Sequence, residues 1–187
     1  MDYELENGSW KFVFDNKTGT LYQMGLGYKL SLYPEGYEPG AITVSAGETE
    51  EEKQYTAPEN LGDDLMSGIV EYGGDLYSLP CPVSAMLQNG WKIAANMERE
   101  YLAPMGGMTL DLVRDGKRKS LSVKNIDTQQ ARYLENCFVW RMEETDGTLV
   151  LPGGIRPRMT ESDFYKVVEQ SGCFCKRSES GKYVYIY

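Results

Sequence analysis

The sequence predicts an α+β fold, an antiparallel β-sheet with two short helices packed on one face. Three observations predict it. Fourteen Tyr and three Trp among 187 residues are a rich supply of strand-favouring aromatics. Period-two segments recur, separated by turns rich in Gly, Asn and Asp. Apolar residues at helical spacing occur in two brief stretches, and connections this short favour antiparallel neighbours over βαβ crossovers.

The elements follow in order. Trp10 to Phe14 alternates Trp, Phe and Phe on one face with Lys11 and Val13 on the other. Asp15-Asn16-Lys17-Thr18-Gly19 supplies a turn, and Leu21 to Leu32 returns as the second strand of a hairpin. A loop marked by Tyr33-Pro34-Glu35-Gly36-Tyr37 leads to a short strand, Ile42 to Ser45. Gly47 to Asp64 is acidic and poor in large aliphatics, the signature of a mobile surface loop. Leu76 to Leu79 is a strand stopped by Pro80 and Pro82. Val83, Met86 and Leu87 sit at i, i+3, i+4, which predicts a helix over 83–89 with Gly90 just past its end.

After Trp91 to Ala94, strands are expected at Met108 to Val113 and Leu121 to Asn125, turning at Asp115-Gly116. A second hairpin should join Cys137–Glu143 to Thr148–Leu151 through Asp146-Gly147. Thr160 with Asp163 three residues on resembles a capping box and starts a helix that presents Phe164, Val167 and Val168 and ends at Gly172. Phe174 to Lys176 and Tyr183 to Tyr187 close the chain as strands. The segments 7–14 and 180–187 resemble each other, which hints at a degenerate repeat.

Charge divides the chain. Residues 1–75 carry fifteen acids and four bases, whereas residues 76–187 carry thirteen acids and fifteen bases. The organisation this implies is an acidic β-rich part over 1–75 and an α+β unit over 76–187. The aromatic stripe of the first hairpin must be covered, so the two parts should form one cooperative structure. A concentrated basic face is missing, which argues against a nucleic-acid partner. Arg114, Lys117, Arg118 and Lys119 read as a solvated hairpin tip. The apolar runs fall short of the ~20 residues that span a bilayer. Met1-Asp2-Tyr3-Glu4 lacks the features of a signal peptide. The expected compartment is cytoplasmic if Met1 is the natural start, and otherwise the cell surface or outside. Oligomeric state stays open.

There is no histidine. Ser-His-Asp and Cys-His catalysis, His-dependent zinc sites and imidazole proton shuttles are therefore excluded together. The four cysteines, at 81, 137, 173 and 175, have irregular spacing and read as reduced structural thiols. Gly153-Gly154 ahead of a helix, with Arg156 and Arg158, could offer backbone N–H groups to an anion but lacks the phosphate-loop spacing. Asp63-Asp64 and Glu143-Glu144 could serve a carboxylate hydrolase or stand as solvated faces. The acidic loop lacks the EF-hand pattern. No cofactor is implied.

Leu79-Pro80-Cys81-Pro82-Val83-Ser84 running to Asn89-Gly90-Trp91, followed later by Leu151-Pro152-Gly153-Gly154-Ile155 and a helix, resembles a known pattern. It is similar to the uncharacterised α+β domain of bacterial surface lipoproteins and related small proteins. More distantly it resembles the small outer-membrane-assembly lipoprotein and β-lactamase-inhibitor-protein fold, helices on an antiparallel sheet. The match covers residues 76–187, and its motifs are structural punctuation. Arg156-Pro157-Arg158 stands where such domains often carry Gly. The missing catalytic set, the inhibitor-like resemblance and the acidic half together point to a non-enzymatic module binding a protein or peptide, with Tyr33, Tyr37, Arg156 and Arg158 as the candidate interaction surface. The alternatives are an acidic immunity- or inhibitor-type protein neutralising a basic partner, and a His-free carboxylate hydrolase.

Overall fold

The computed structural model describes residues 6–15, 20–29, 44–98, 100–178 and 183–186. Strands β1 (Glu6–Asp15), β2 (Thr20–Lys29) and β3 (Val44–Ser45) precede helix α1 (Glu50–Gln54). Strands β4 (Ile69–Tyr72), β5 (Asp75–Ser78) and β6 (Cys81–Pro82) lead into α2 (Val83–Gln88). Next come β7 (Lys92–Ile93), β8 (Tyr101–Leu102), β9 (Gly107–Arg114) and β10 (Lys117–Lys124). They are followed by β11 (Ala131–Tyr133), β12 (Phe138–Glu144) and β13 (Leu149–Val150). Helix α3 (Glu161–Gln170) and strands β14 (Cys175–Arg177) and β15 (Tyr183–Ile186) complete the described chain. Antiparallel sheets with few helices make this an α+β protein, and β3 beside β11 is a parallel exception. Among the described residues no helix is long and apolar enough to cross a membrane.

Contacts divide the chain into two compact units, each assembled from separated segments. The first holds residues 44–56 and 80–141. Its frame is the β9–β10 hairpin, eight consecutive residue pairs in register from Lys117↔Arg114 to Lys124↔Gly107. Asp115 and Gly116 both take left-handed φ, 51° and 73°, the turn whose twist matches a two-residue hairpin. Period-two alternation then buries Leu110, Leu112, Leu121 and Val123 on one face. β7 pairs with β9, β12 with β10, and β6 with β12. The Pro80–Pro82 segment thus forms a two-residue strand before the helix, and the Val83 N–H donates to the Cys137 carbonyl at 2.8 Å. Val83 and Met86 are the buried face of α2, which ends with Gly90 at φ 86°.

A small sheet, β3-β11-β8, is braced by Arg132, whose guanidinium donates to Ser45 Oγ, the Gly47 carbonyl and Asp127. Met105 to Gly107 bends into β9, the Gly106 N–H donating to the Ala103 carbonyl.

The acidic stretch after Gly47 is not the loop its composition suggests. It contains α1, started by a full capping box. The Thr49 hydroxyl accepts from the Glu52 N–H, and the Glu52 carboxylate accepts from the Thr49 N–H at 2.8 Å. Three glutamates in the first turn also suit the positive end of the helix dipole.

The second unit holds residues 7–29, 57–79 and 142–186. Its larger sheet runs β14-β15-β1-β2. Phe12 pairs with Val184 and Val13 with Tyr183, so the two similar segments at opposite ends of the chain are hydrogen-bonded neighbours. The expected Cys137–Leu151 hairpin requires correction. β13 pairs with β4, not with β12, to give the sheet β13-β4-β5. Asp146 Oδ1 accepts from both the N–H and the hydroxyl of Thr148, which shapes a wide bend in place of a tight hairpin turn. The Gly73 N–H donates to the Thr148 carbonyl and ties that bend to the β4–β5 turn, where Gly73 and Gly74 take φ of 66° and 93°. This seats fully buried Leu149 opposite fully buried Tyr72.

Helix α3 buries Phe164 and Val168, with Val167 half-buried. Thr160 caps it by accepting from the Asp163 N–H at 3.1 Å. The Asp163 carboxylate takes the Thr160 hydroxyl and Lys166, not the cap N–H that a longer Glu would reach. Ahead of the helix, Leu151 bridges to Ile155 and Gly153 turns at φ 69°. A Cβ on Gly153 would overlap Val167 Cγ1, whereas one on Gly154 would meet open space. Gly153→Ala should therefore cost more than ~2 kcal/mol, left-handed strain plus a clash, and Gly154→Ala only the strain of ~1–2 kcal/mol. Urea unfolding of the two variants measures that difference.

Candidate functional site

The best candidate is an edge of the second unit. β14 is terminal in its sheet, so its outer side pairs with no described strand. Register gives its two faces different characters. Cys175 pairs with Ile186 and Arg177 with Val184, and both partners are buried. That face lies under α3, since Arg177 forms an ion pair with Glu161 and donates to the Tyr165 hydroxyl. On the opposite face Lys176 pairs with Tyr185. Phe174, two residues from Lys176, is 82% exposed, the most exposed large apolar side chain among the described residues. The edge thus offers an exposed phenyl ring, an exposed ammonium and a half-buried phenol beside a strand that is terminal among the described residues.

Of the surface expected from sequence, Arg156 and Arg158 are exposed between Ile155 and α3, with Arg158 held at φ 75°. Tyr33 and Tyr37 lie outside the described residues. The glycine pair beside the arginines has its donors engaged. The Gly153 N–H donates to the Gly62 carbonyl at 3.1 Å and the Gly154 N–H to the Leu151 carbonyl at 3.0 Å, so neither points at an anion. Gly153 is there to let α3 approach.

The basic run of the first unit is dispersed. Arg114 lies over the Trp91 ring at 4.8 Å and donates to the Asn89 carbonyl. Arg118 pairs with Asp111 at 2.6 Å, and Lys119 is buried. Two of the carboxylates considered for hydrolysis have defined partners. Asp64 caps the Met66 N–H, and Glu144, buried, accepts from the Tyr72 hydroxyl at 2.6 Å. All four cysteines are unpaired, Cys81 and Cys137 in the interior. Burial raises the Cys81 thiol well above its ordinary range. Burial, reinforced by the charge of Glu52, pushes Cys137 up to about 12. Among the described residues there is no group of three or more Cys, Asp or Glu arranged to hold a metal.

One polar cluster was not foreseen. Glu52 is 8% exposed and accepts from Ser84 Oγ at 3.1 Å and Asn136 Nδ2 at 3.4 Å in addition to the Thr49 N–H. The Thr49-x-x-Glu52 spacing announced the cap. Nothing local announced Ser84 and Asn136, which are 32 and 84 residues away. No family model, no curated protein and no solved structure matches the chain.

Glu52→Ala would leave the part-buried Ser84 hydroxyl and the buried Asn136 amide without this acceptor. It should cost ~1–3 kcal/mol, against ~1 kcal/mol for Thr49→Ala, read by chemical denaturation. Burial first, and then the hydrogen bond to Glu144, raises Tyr72 far above an ordinary phenol. The folded state thus keeps a proton that the unfolded chain releases near pH ~10. This contribution to stability is complete below that pH and declines as pH rises past it. Tyr72→Phe should flatten the alkaline limb of a stability profile recorded from pH 8 to 11.

Proposed function

We propose that this protein is a non-enzymatic module that binds a protein or an extended peptide through the β14 edge. The observation that carries the reading is Phe174, 82% exposed beside the strand that ends its sheet among the described residues. An incoming extended segment can add to such an edge through main-chain hydrogen bonds, and an aromatic side chain at the margin supplies the anchor. Lys176, with Arg156 and Arg158 elsewhere on the unit, favours a segment carrying acidic residues. Tyr33 and Tyr37 stay part of the proposed surface on sequence grounds. The reading also keeps the inhibitor-like resemblance drawn from the sequence.

The acidic-neutraliser alternative has less support, because Glu52 is buried in its own hydrogen bonds and Glu50 is paired with Lys53 at 2.6 Å. Peptides selected by display on the folded full chain test the proposal. Phe174→Ala, with an unchanged melting curve, should weaken the selected peptides at least tenfold, or about 1.4 kcal/mol. Lys176→Glu should weaken the acidic ones further. Equal binding to wild type and Phe174→Ala, or a selection that yields no binder, would overturn it.

A further inference from the structure

The four free cysteines fall into two classes. Cys81 and Cys137 are fully buried in the first unit. Cys173 and Cys175 belong to the second unit and are only half-buried, within reach of solvent at the start of β14. Burial alternates along this segment, with Cys173 half-buried, Phe174 82% exposed, Cys175 half-buried and Lys176 exposed. A period of two is the mark of extended backbone, so the two thiols share one face and Phe174 and Lys176 share the other. The shared face is the one under α3, because Cys175 sits opposite buried Ile186 and Arg177, next on that face, is tied to Glu161 and Tyr165 of the helix.

Spacing decides what such a pair can do. Residues two apart in a strand lie ~6.7 Å from each other and project side by side. That separation is at the upper limit for a disulfide, whose ~2 Å sulfur–sulfur bond would force the parallel side chains to converge. An ion between the sulfurs lengthens the bridge to two metal–thiolate bonds of ~2.3 Å each and leaves the strand extended. Soft thiolates select soft ions, and Cu(I) is satisfied by two of them. Zinc takes four ligands, of which Cys173-x-Cys175 supplies two, and the chain has no histidine to add.

We propose that Cys173 and Cys175 form a two-coordinate chelate for a soft monovalent cation, Cu(I). Two S–H bonds break and two S–Cu bonds form. One Cu⁺ and two thiols become a bis-thiolate of net charge −1, two protons pass to solvent, and neither copper nor sulfur changes oxidation state. Burial raises the Cys175 thiol above its ordinary value, so the arriving ion, not prior ionisation, displaces that proton. The guanidinium of Arg177, one step along the same face, sets a positive charge near the anionic chelate. The chelate lies on the opposite face of β14 from Phe174, and neither proposal requires the other.

The test titrates the reduced, folded full-length chain without oxygen against Cu(I) held by the coloured chelator bathocuproine disulfonate. The chain should withdraw one Cu(I), and a tenfold excess of Zn(II) should leave it in place. Cys173→Ser and Cys175→Ser should each weaken binding ~100-fold or more, because a single thiolate loses the effective concentration of its neighbour. Alkylation with iodoacetamide and peptide mass mapping of the wild type give a second reading that needs no variant. Copper should protect Cys173 and Cys175 together relative to the copper-free chain. Failure to withdraw copper, displacement by zinc, a single variant that binds as tightly as wild type, or copper uptake that leaves either cysteine open to alkylation would overturn the proposal.

Discussion

The constraint on which the first unit depends is the pleat of the β9–β10 hairpin, which sends alternate side chains to opposite faces. The turn at Asp115-Gly116 fixes the register, and a slip of one residue would turn Leu110, Leu112, Leu121 and Val123 outward together. At ~1.5–3 kcal/mol for each buried aliphatic side chain, that burial outweighs any single hydrogen bond described above. Strands β7 and β12 take their register from this hairpin, and β6 takes its register from β12. The position of α2 follows, because its first N–H is tied to the residue before β12.

Several charges among the described residues are spent on internal contacts. Arg132 gathers β3, the segment after it and the Asp127 loop. The Asp127 carboxyl is held below its ordinary range. Burial opposes that shift, but the N–H groups of Gln129 and Gln130 and the guanidinium of Arg132 outweigh it. Arg114 covers Trp91, Arg118 satisfies Asp111, and Glu52 serves a cap and two side chains at once. Formal charge is thus a poor guide to the surface a partner meets. What remains on the second unit is an edge with an exposed Phe174.

The sequence by itself determined the locally encoded features. Asp115-Gly116 needs only two residues that tolerate left-handed φ, and Gly90 and Gly172 end helices for the same reason. The periodicities of 83–88 and 161–170 placed α2 and α3 within a residue or two. Thr49-x-x-Glu52 encoded α1 equally well, but the surrounding run of glutamates reads as a solvated loop when composition is weighed above the cap. Only tertiary structure decided the choices between partners. Asp146-Gly147 looks like a hairpin turn, yet β13 gains more by burying Leu149 against Tyr72 than by folding back on β12. The alikeness of residues 7–14 and 180–187 did not show that β1 and β15 are sheet neighbours. Gly153-Gly154 spelled an anion loop until packing on Val167 and bonds to distant carbonyls gave it another purpose. The exposure of Phe174 was invisible for a physical reason. It depends on which groups pack nearby, and that is set by chain segments far away in sequence, whose approach no local period or turn residue records.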